Sequence, residues 1–160
     1  MWYAQEDVMT CVPAALRSVL SEQYCVTVPE AALEGFGTEP DVPIRKHGTG
    51  PRELRRMLRE ANRAYNAGPR WRMITRRRGR IADLRTWRAR GSFPLVSVTY
   101  ALGADGVWDY HVVIVRNVGK YFVTYFDPYD GKHHSSSIRK FRQWWRDEDG
   151  ETWFAAVYVR

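Results

Sequence analysis

The patterning of this chain changes once, near Gly91, and that change limits the folds open to it. Beyond it, Phe93–Tyr100, Trp108–Val115, Lys120–Phe126 and Trp153–Val159 are rich in β-branched and aromatic residues, which suit a pleated, half-buried surface. The second of these, ending His111-Val112-Val113-Ile114-Val115, is nearly apolar throughout, as a central strand must be. Before Gly91 the spacing is mainly helical. Ala14, Ala15, Leu16, Val19 and Leu20 form one apolar face of a helix that opens at Cys11 and fades near Glu22 or Gln23. Pro29 and Glu30 start a short helical segment through Leu33, ended by Gly35 and Gly37. Gly50-Pro51 then reads as an N-cap and first-turn proline. Leu54, Met57, Leu58 and Ala61 make the buried stripe of that helix, and Arg52, Arg55, Arg56 and Arg59 are expected to face solvent. A strand is expected over Arg70–Thr75, a helix over Ile81–Arg90 with Gly91 as its stop, and a helix capped by Ser137 running through Phe141, Trp144 and Trp145. The layout is α+β, with N-terminal helices packed on a C-terminal antiparallel sheet.

At 160 residues, 44% hydrophobic and 14% aromatic, the chain reads as one globular domain over residues 1–160 rather than a disordered segment. No apolar run approaches the roughly 20 residues of a membrane span. Met1–Gln5 shows no basic region leading into an apolar one, so a cytoplasmic location is the expectation. The two cysteines, Cys11 and Cys25, are too few for a disulfide scaffold. There is no CxxC, so no metal and no cofactor is expected, and the His133-His134 pair is at most a weak metal candidate. Cys25 reads as a structural residue of an extended segment, and His47, His133 and His134 as loop residues. The net charge of +7 owes much to the arginines between Arg70 and Arg90. Such a surface can bind nucleic acid or an acidic partner. The run Arg76-Arg77-Arg78-Gly79-Arg80 reads as a loop rather than a groove-reading helix, so a solvated surface is favoured over nucleic acid.

The residue types that carry chemistry are Gln5, Cys11, His111 and Asp127. Cys11 stands at a helix start, with Thr10 or Cys11 as N-cap and Pro13 in the first turn. There the helix dipole favours thiolate over thiol. Gln5, six residues earlier, can return its side-chain N–H to the same spot and complete an oxyanion hole with the Cys11 backbone N–H. His111 opens one strand and Asp127 closes the next, just before Pro128. A three-residue loop, Asn117-Val118-Gly119, pairs Arg116 with Lys120 and sets Asp127 opposite Asp109. Asp127 then reaches His111 on the same face. A two-residue loop would put His111 on the other face. A thiol, a base and an acid that orients the base are the parts of nucleophilic acyl transfer.

These blocks occur in a telling order. Gln5…Cys11-Val12-Pro13-Ala14-Ala15-Leu16 comes first, then Gly50 opening a helix, then Gly91 with Phe93–Val98. His111–Val115, Asp127-Pro128 and a helix with Phe141 and Trp145 follow. Over nearly its whole length the chain resembles the C39-type, papain-like cysteine peptidases, which include domains that cut leader peptides after a Gly-Gly pair. The resemblance implies a papain-like cysteine peptidase fold, with Cys11 as nucleophile, His111 as base, Asp127 as its orienter and Gln5 in the oxyanion hole. It implies a peptide or protein substrate. Val12 stands where family members commonly have glycine. The same site would serve an acyltransferase or transpeptidase, and a non-enzymatic basic binding module is the third reading. The specificity loops are expected in residues 36–50 and 101–109, with Trp108, Tyr110 and Tyr129 lining a narrow cleft.

Overall fold

The computed structural model describes residues 1–7, 10–38, 49–99, 110–146 and 150–159. In chain order the elements are α1 (Cys11–Tyr24), α2 (Glu30–Gly37), α3 (Pro51–Tyr65), β1 (Trp71–Arg77), α4 (Ile81–Ala89), β2 (Leu95–Thr99), β3 (Tyr110–Val118), β4 (Phe122–Asp127), β5 (Lys132–Ser137), α5 (Ile138–Trp144) and β6 (Trp153–Val159). The strands form one six-stranded sheet in the order β1-β6-β2-β3-β4-β5, and every pairing is antiparallel.

Alternation along the strands sorts the core into two layers. Val112 and Ile114 of β3 pack with Leu16 and Leu20 of α1, Leu33 of α2 and Leu54 and Met57 of α3. Val113 and Val115 face the other way, onto Leu84 of α4 and Phe141 of α5. Helices therefore cover both faces of the sheet, which explains the unbroken apolar run of β3. Local signals place the helix starts. Gly50 donates its backbone N–H to Glu53 Oε2 at 3.0 Å, and the Ser137 hydroxyl accepts the Lys140 N–H at 3.2 Å. Gly79 turns the chain where no other residue fits: an added Cβ would lie 2.8 Å from Phe154 and 2.9 Å from Trp145.

Two local expectations are corrected. β5 is a strand, so His133 and His134 are ladder residues and not loop residues. Its Lys-His-His-Ser-Ser-Ser sequence has the polar character tolerated at a sheet edge, and hydrophobicity alone does not reveal it. The turn before it does carry a signal, because Gly131 takes a positive φ of 68° at the close of Asp127-Pro128-Tyr129-Asp130. Arg52, Arg55 and Arg59 of α3 are exposed as expected, and with half-buried Arg56 they line one wall of an open groove against β1.

Cys25 is not extended. It ends α1 in the left-handed region at φ 56°, with its N–H on Ser21 O at 3.1 Å and the Val26 N–H on Leu20 O at 3.3 Å. A side chain at this cap position is strained, and glycine is not. Cys25→Gly is therefore expected to raise the stability to urea by about 1 kcal/mol. An unchanged or lower unfolding midpoint would remove the strain argument.

The β3–β4 register departs from expectation in an instructive way. Val118 pairs with Val123 and Asn117 with Thr124, but Val115 pairs with Tyr125 and Ile114 with Phe126. Arg116 is the extra residue of a bulge, and the turn is Gly119-Lys120-Tyr121, with the Gly119 N–H on Phe122 O at 2.9 Å. Val118 and Val123 are buried, so apolar pairing carries the strands beyond Asn117. Continued past Ile114–Phe126, this register sets Asp127 against Val113, two residues from His111 and on its face. Without the bulge, Asp127 would meet Ile114 and His111 would leave the opposite face. The bulge is held from outside, since Arg88 Nε donates to the Arg116 carbonyl at 2.7 Å.

Candidate active site

The segment before α1 is tied down residue by residue. The Tyr3 N–H reaches Ser18 Oγ at 2.9 Å, and the Gln5 N–H reaches the carbonyl of Pro128 at 2.7 Å. The second bond fastens Gln5 beside Asp127. Close approach there is possible because residue 131 is glycine: an added Cβ would sit 3.0 Å from Ala4 Cβ. The Gln5 side chain folds toward the helix start, donating Nε2 to the Asp7 carbonyl at 2.9 Å. Asp7 and Thr10 close a turn, with the Thr10 hydroxyl donating to Asp7 O at 2.8 Å, and Cys11 follows as the first residue of α1.

No acidic side chain lies in the first turn of α1, so no carboxylate of that turn offsets the positive end of the helix dipole at Cys11. Val12 is buried in the core at 3% exposure, so it fills space under the helix and does not narrow a cleft. Cys11 is half-buried, Cys25 is exposed, and both are free thiols.

His111 and Asp127 meet as the register requires. His111 Nε2 lies 2.6 Å from Asp127 Oδ1, and both side chains are about nine-tenths buried, at 8% exposure each. The same oxygen accepts the Tyr129 N–H at 2.8 Å, which fixes the carboxylate in place. The Cys11 thiol lies within hydrogen-bonding reach of the imidazole. Because Nε2 faces Asp127, Nδ1 is the nitrogen turned to sulfur. Burial disfavours the imidazolium, but the Asp127 hydrogen bond and the Cys11 contact outweigh it and push the His111 pKa up to about 9.

The raised value has a consequence for stability. A base whose pKa is higher folded than unfolded contributes stability that is fully present below its unfolded value, near 6.5, and that fades as pH rises through about 9. Unfolding free energy is therefore expected to decline between pH 6.5 and 9, and His111→Ala should flatten that decline. Urea titrations at a series of pH values check it. A wild-type slope that persists in the variant would assign the titration elsewhere.

Of the residues singled out from the sequence, Gln5, Cys11, His111 and Asp127 lie together at one end of the sheet. Tyr129 borders them, its ring edge-on to His111 at 6.3 Å. Tyr110, adjacent in sequence, is 45% exposed. His47, Trp108 and most of the two expected specificity loops fall in residues 39–48 and 100–109, outside the described residues. His133 and His134 are consecutive on β5, so they point to opposite faces. Among the described residues, Asp127, Asp130 and His134 bring ligand atoms within 4.8 Å of one another, and within that set His134 Nε2 already lies 2.8 Å from Asp130 Oδ2.

Glu30 escaped sequence reasoning. It is 2% exposed, accepts the Glu6 N–H at 2.9 Å, and lies 3.9 Å from Arg17. Burial raises its pKa. It braces the segment that carries Gln5, and as an ordinary first-turn acid after Pro29 it gave no sign of that.

Helices packed on both faces of one six-stranded antiparallel sheet fit a papain-like fold. Among solved structures, the chain is similar to the peptidase domain of Streptococcus ComA, a bi-functional ABC transporter involved in a quorum-sensing pathway. The likeness has a TM-score of 0.65, covers 98% of this chain and 95% of that one, and comes with 16% sequence identity. No protein-family model and no curated protein matches the chain. What the two chains share at that identity is the fold.

Proposed function

We propose that this chain is a thiol peptidase that cleaves peptide or protein substrates through an acyl-enzyme. The observation that carries the reading is the continuous contact from Cys11 to His111 to Asp127 at the start of α1. The thiol proton passes to His111, which favours its protonated form. The Cys11 sulfur attacks the scissile carbonyl carbon. A C–S bond forms, and the carbonyl electrons move to oxygen, where the Cys11 backbone N–H and Gln5 Nε2 donate. The tetrahedral species collapses, the C–N bond breaks, and His111 gives its proton to the departing amine. Water then attacks the thioester while His111 takes its proton. The acid is released and the thiolate returns. Asp127 keeps Nε2 protonated and Nδ1 aimed at sulfur throughout.

Exposed Tyr110, next to His111 in the chain, and Tyr129, edge-on to the His111 ring, suit a cleft that admits small residues, so a Gly-Gly pair is the sequence to test first. The experiment is incubation with a peptide library containing Gly-Gly sites, followed by mass mapping of the products. Discrete cleavage that vanishes in Cys11→Ala is expected, and cleavage that survives in that variant would overturn the mechanism. An added amine separates the acyltransferase alternative: adducts to the new acyl end would mark transfer, and free acid marks hydrolysis. Among the described residues, no helix is long and apolar enough to cross a membrane.

A further inference from the structure

Cys11, His111 and Asp127 stand on a helix or a strand, but Gln5 lies in the segment before α1. Its aim depends on how that segment is held. Two contacts fix the backbone on either side of its Cα. The Gln5 N–H donates to the Pro128 carbonyl at 2.7 Å, and the next N–H, that of Glu6, donates to Glu30 Oε1 at 2.9 Å. The first contact ties Gln5 to the turn that follows Asp127, and the second ties it to the first turn of α2. From that seat the Gln5 side chain reaches the Asp7 carbonyl at 2.9 Å.

Glu30 is an unusual residue to find underneath. A carboxylate at 2% exposure is costly to keep ionised, and burial raises its pKa. Its surroundings offset part of that penalty. Glu30 stands at the positive end of the α2 dipole, and Arg17 Nη1 lies 3.9 Å from Oε2. Arg17 also bonds Glu6 Oε1 at 2.7 Å and covers the Tyr3 ring at 3.9 Å, so it closes the segment over the carboxylate. The Thr10 side chain, 1% exposed, lies beside Glu30 as well. The carboxylate therefore touches the chain at two places: at Glu6, just after Gln5, and at Thr10, just before Cys11. If stability alone set this position, an apolar side chain of the same volume would serve as well or better.

We propose that Glu30 is a positioning residue for the oxyanion hole. It sets the separation of Gln5 Nε2 from the Cys11 N–H by holding both ends of the span between them. Cys11 is the first residue of α1, which fixes its N–H, so Gln5 is the donor that shifts when Glu30 is lost. The inference rests on the peptidase reading above and deepens it: Glu30 is too buried to touch a substrate and acts on kcat through Gln5.

The test is a double-mutant cycle on the whole chain, with a peptide cleaved in the library as substrate and circular dichroism reporting the folded fraction. Glu30→Met keeps an unbranched side chain of similar size but offers the Glu6 N–H only a weak acceptor. It should lower kcat per folded molecule by about tenfold or more and change KM by less than about twofold, because the oxyanion forms only on the way to the transition state. In the Gln5→Ala background the same substitution should lower kcat by less than about twofold, since the donor it positions is already gone. Glu30→Gln keeps an oxygen for the Glu6 N–H and should hold kcat within about threefold of wild type. If Glu30→Met misfolds, Glu30→Asp, which keeps the charge but is one methylene short, should lower kcat by about threefold or more and lose that effect in the Gln5→Ala background. An equal fall in kcat in both backgrounds would overturn the proposal, as would a lower unfolding midpoint with kcat unchanged.

A second measurement needs no substrate. Nitrogen-15 relaxation is read at the Gln5 side-chain amide, identified by its loss in Gln5→Ala. Glu30→Met should lower the order parameter of that amide, and Glu30→Gln should not. An unchanged order parameter in a chain that cleaves peptide overturns the positioning role and leaves the peptidase standing. A lowered order parameter in a chain whose wild type cleaves nothing overturns the peptidase and leaves Glu30 as the residue that seats Gln5.

Discussion

Replacing His111 by alanine is expected to lower peptide turnover roughly ten-thousandfold or more, the scale of loss when a member of such a catalytic set is removed. Two roles vanish together. On the proposed mechanism, Cys11 loses the base that takes its proton, and the leaving amine loses its proton donor. The first role is visible without a substrate: iodoacetamide should label Cys11 of the wild type faster than exposed Cys25 near neutral pH, and His111→Ala should slow Cys11 and leave Cys25 as it was. The substitution also leaves Asp127 buried without its partner, so circular dichroism must accompany the assay. Asp127→Asn is the milder companion. It keeps the shape of the site and the Tyr129 contact, but it removes the charge that supports the imidazolium. Its turnover should fall while its stability between pH 6.5 and 9 becomes less dependent on pH. Turnover of His111→Ala within about tenfold of wild type would exclude His111 as the base.

Gln5→Ala should divide catalysis from folding. Its backbone N–H, which holds Pro128, is retained in the variant, while the side-chain bond to Asp7 O is lost. Stability should therefore fall by about 1 kcal/mol at most. Turnover should fall by about a hundredfold or more, the usual loss for one oxyanion-hole donor. Iodoacetamide labelling of Cys11 should persist, because alkylation passes through no oxyanion. Gln5→Glu sharpens the result: the size is kept, but a carboxylate in place of the amide opposes the developing charge, so turnover should fall at least as far. Activity of both variants within about twofold of wild type would remove Gln5 from the site and leave its contacts as a means of seating the N-terminal segment.

Much of the site was legible in the sequence because its signals are local. A cysteine ahead of an apolar helical face, with proline in the first turn, specifies a helix N-terminus whatever surrounds it. Histidine at the head of an apolar strand and aspartate at the foot of the next follow from composition alone. Gly50-Pro51, Glu53 and the stripe from Leu54 to Ala61 likewise state a helix start and its buried face. Glu30 was not legible, because burial is decided by what packs over a residue.

The sequence by itself determined which segments are helices, which apolar strands lie inside, and which residue types sit at element ends. Tertiary structure decided the rest, because register and proximity depend on partners distant in the chain. Whether His111 faces Asp127 turns on a single bulge at Arg116, braced by Arg88 from α4, and no periodicity in β3 or β4 encodes it. β5 exists because β4 offers it an edge, despite a polar sequence with little strand signal of its own. The arginines of α3 became one wall of a groove only when β1 packed beside them, for a helix can show which side is polar but not what that side will face.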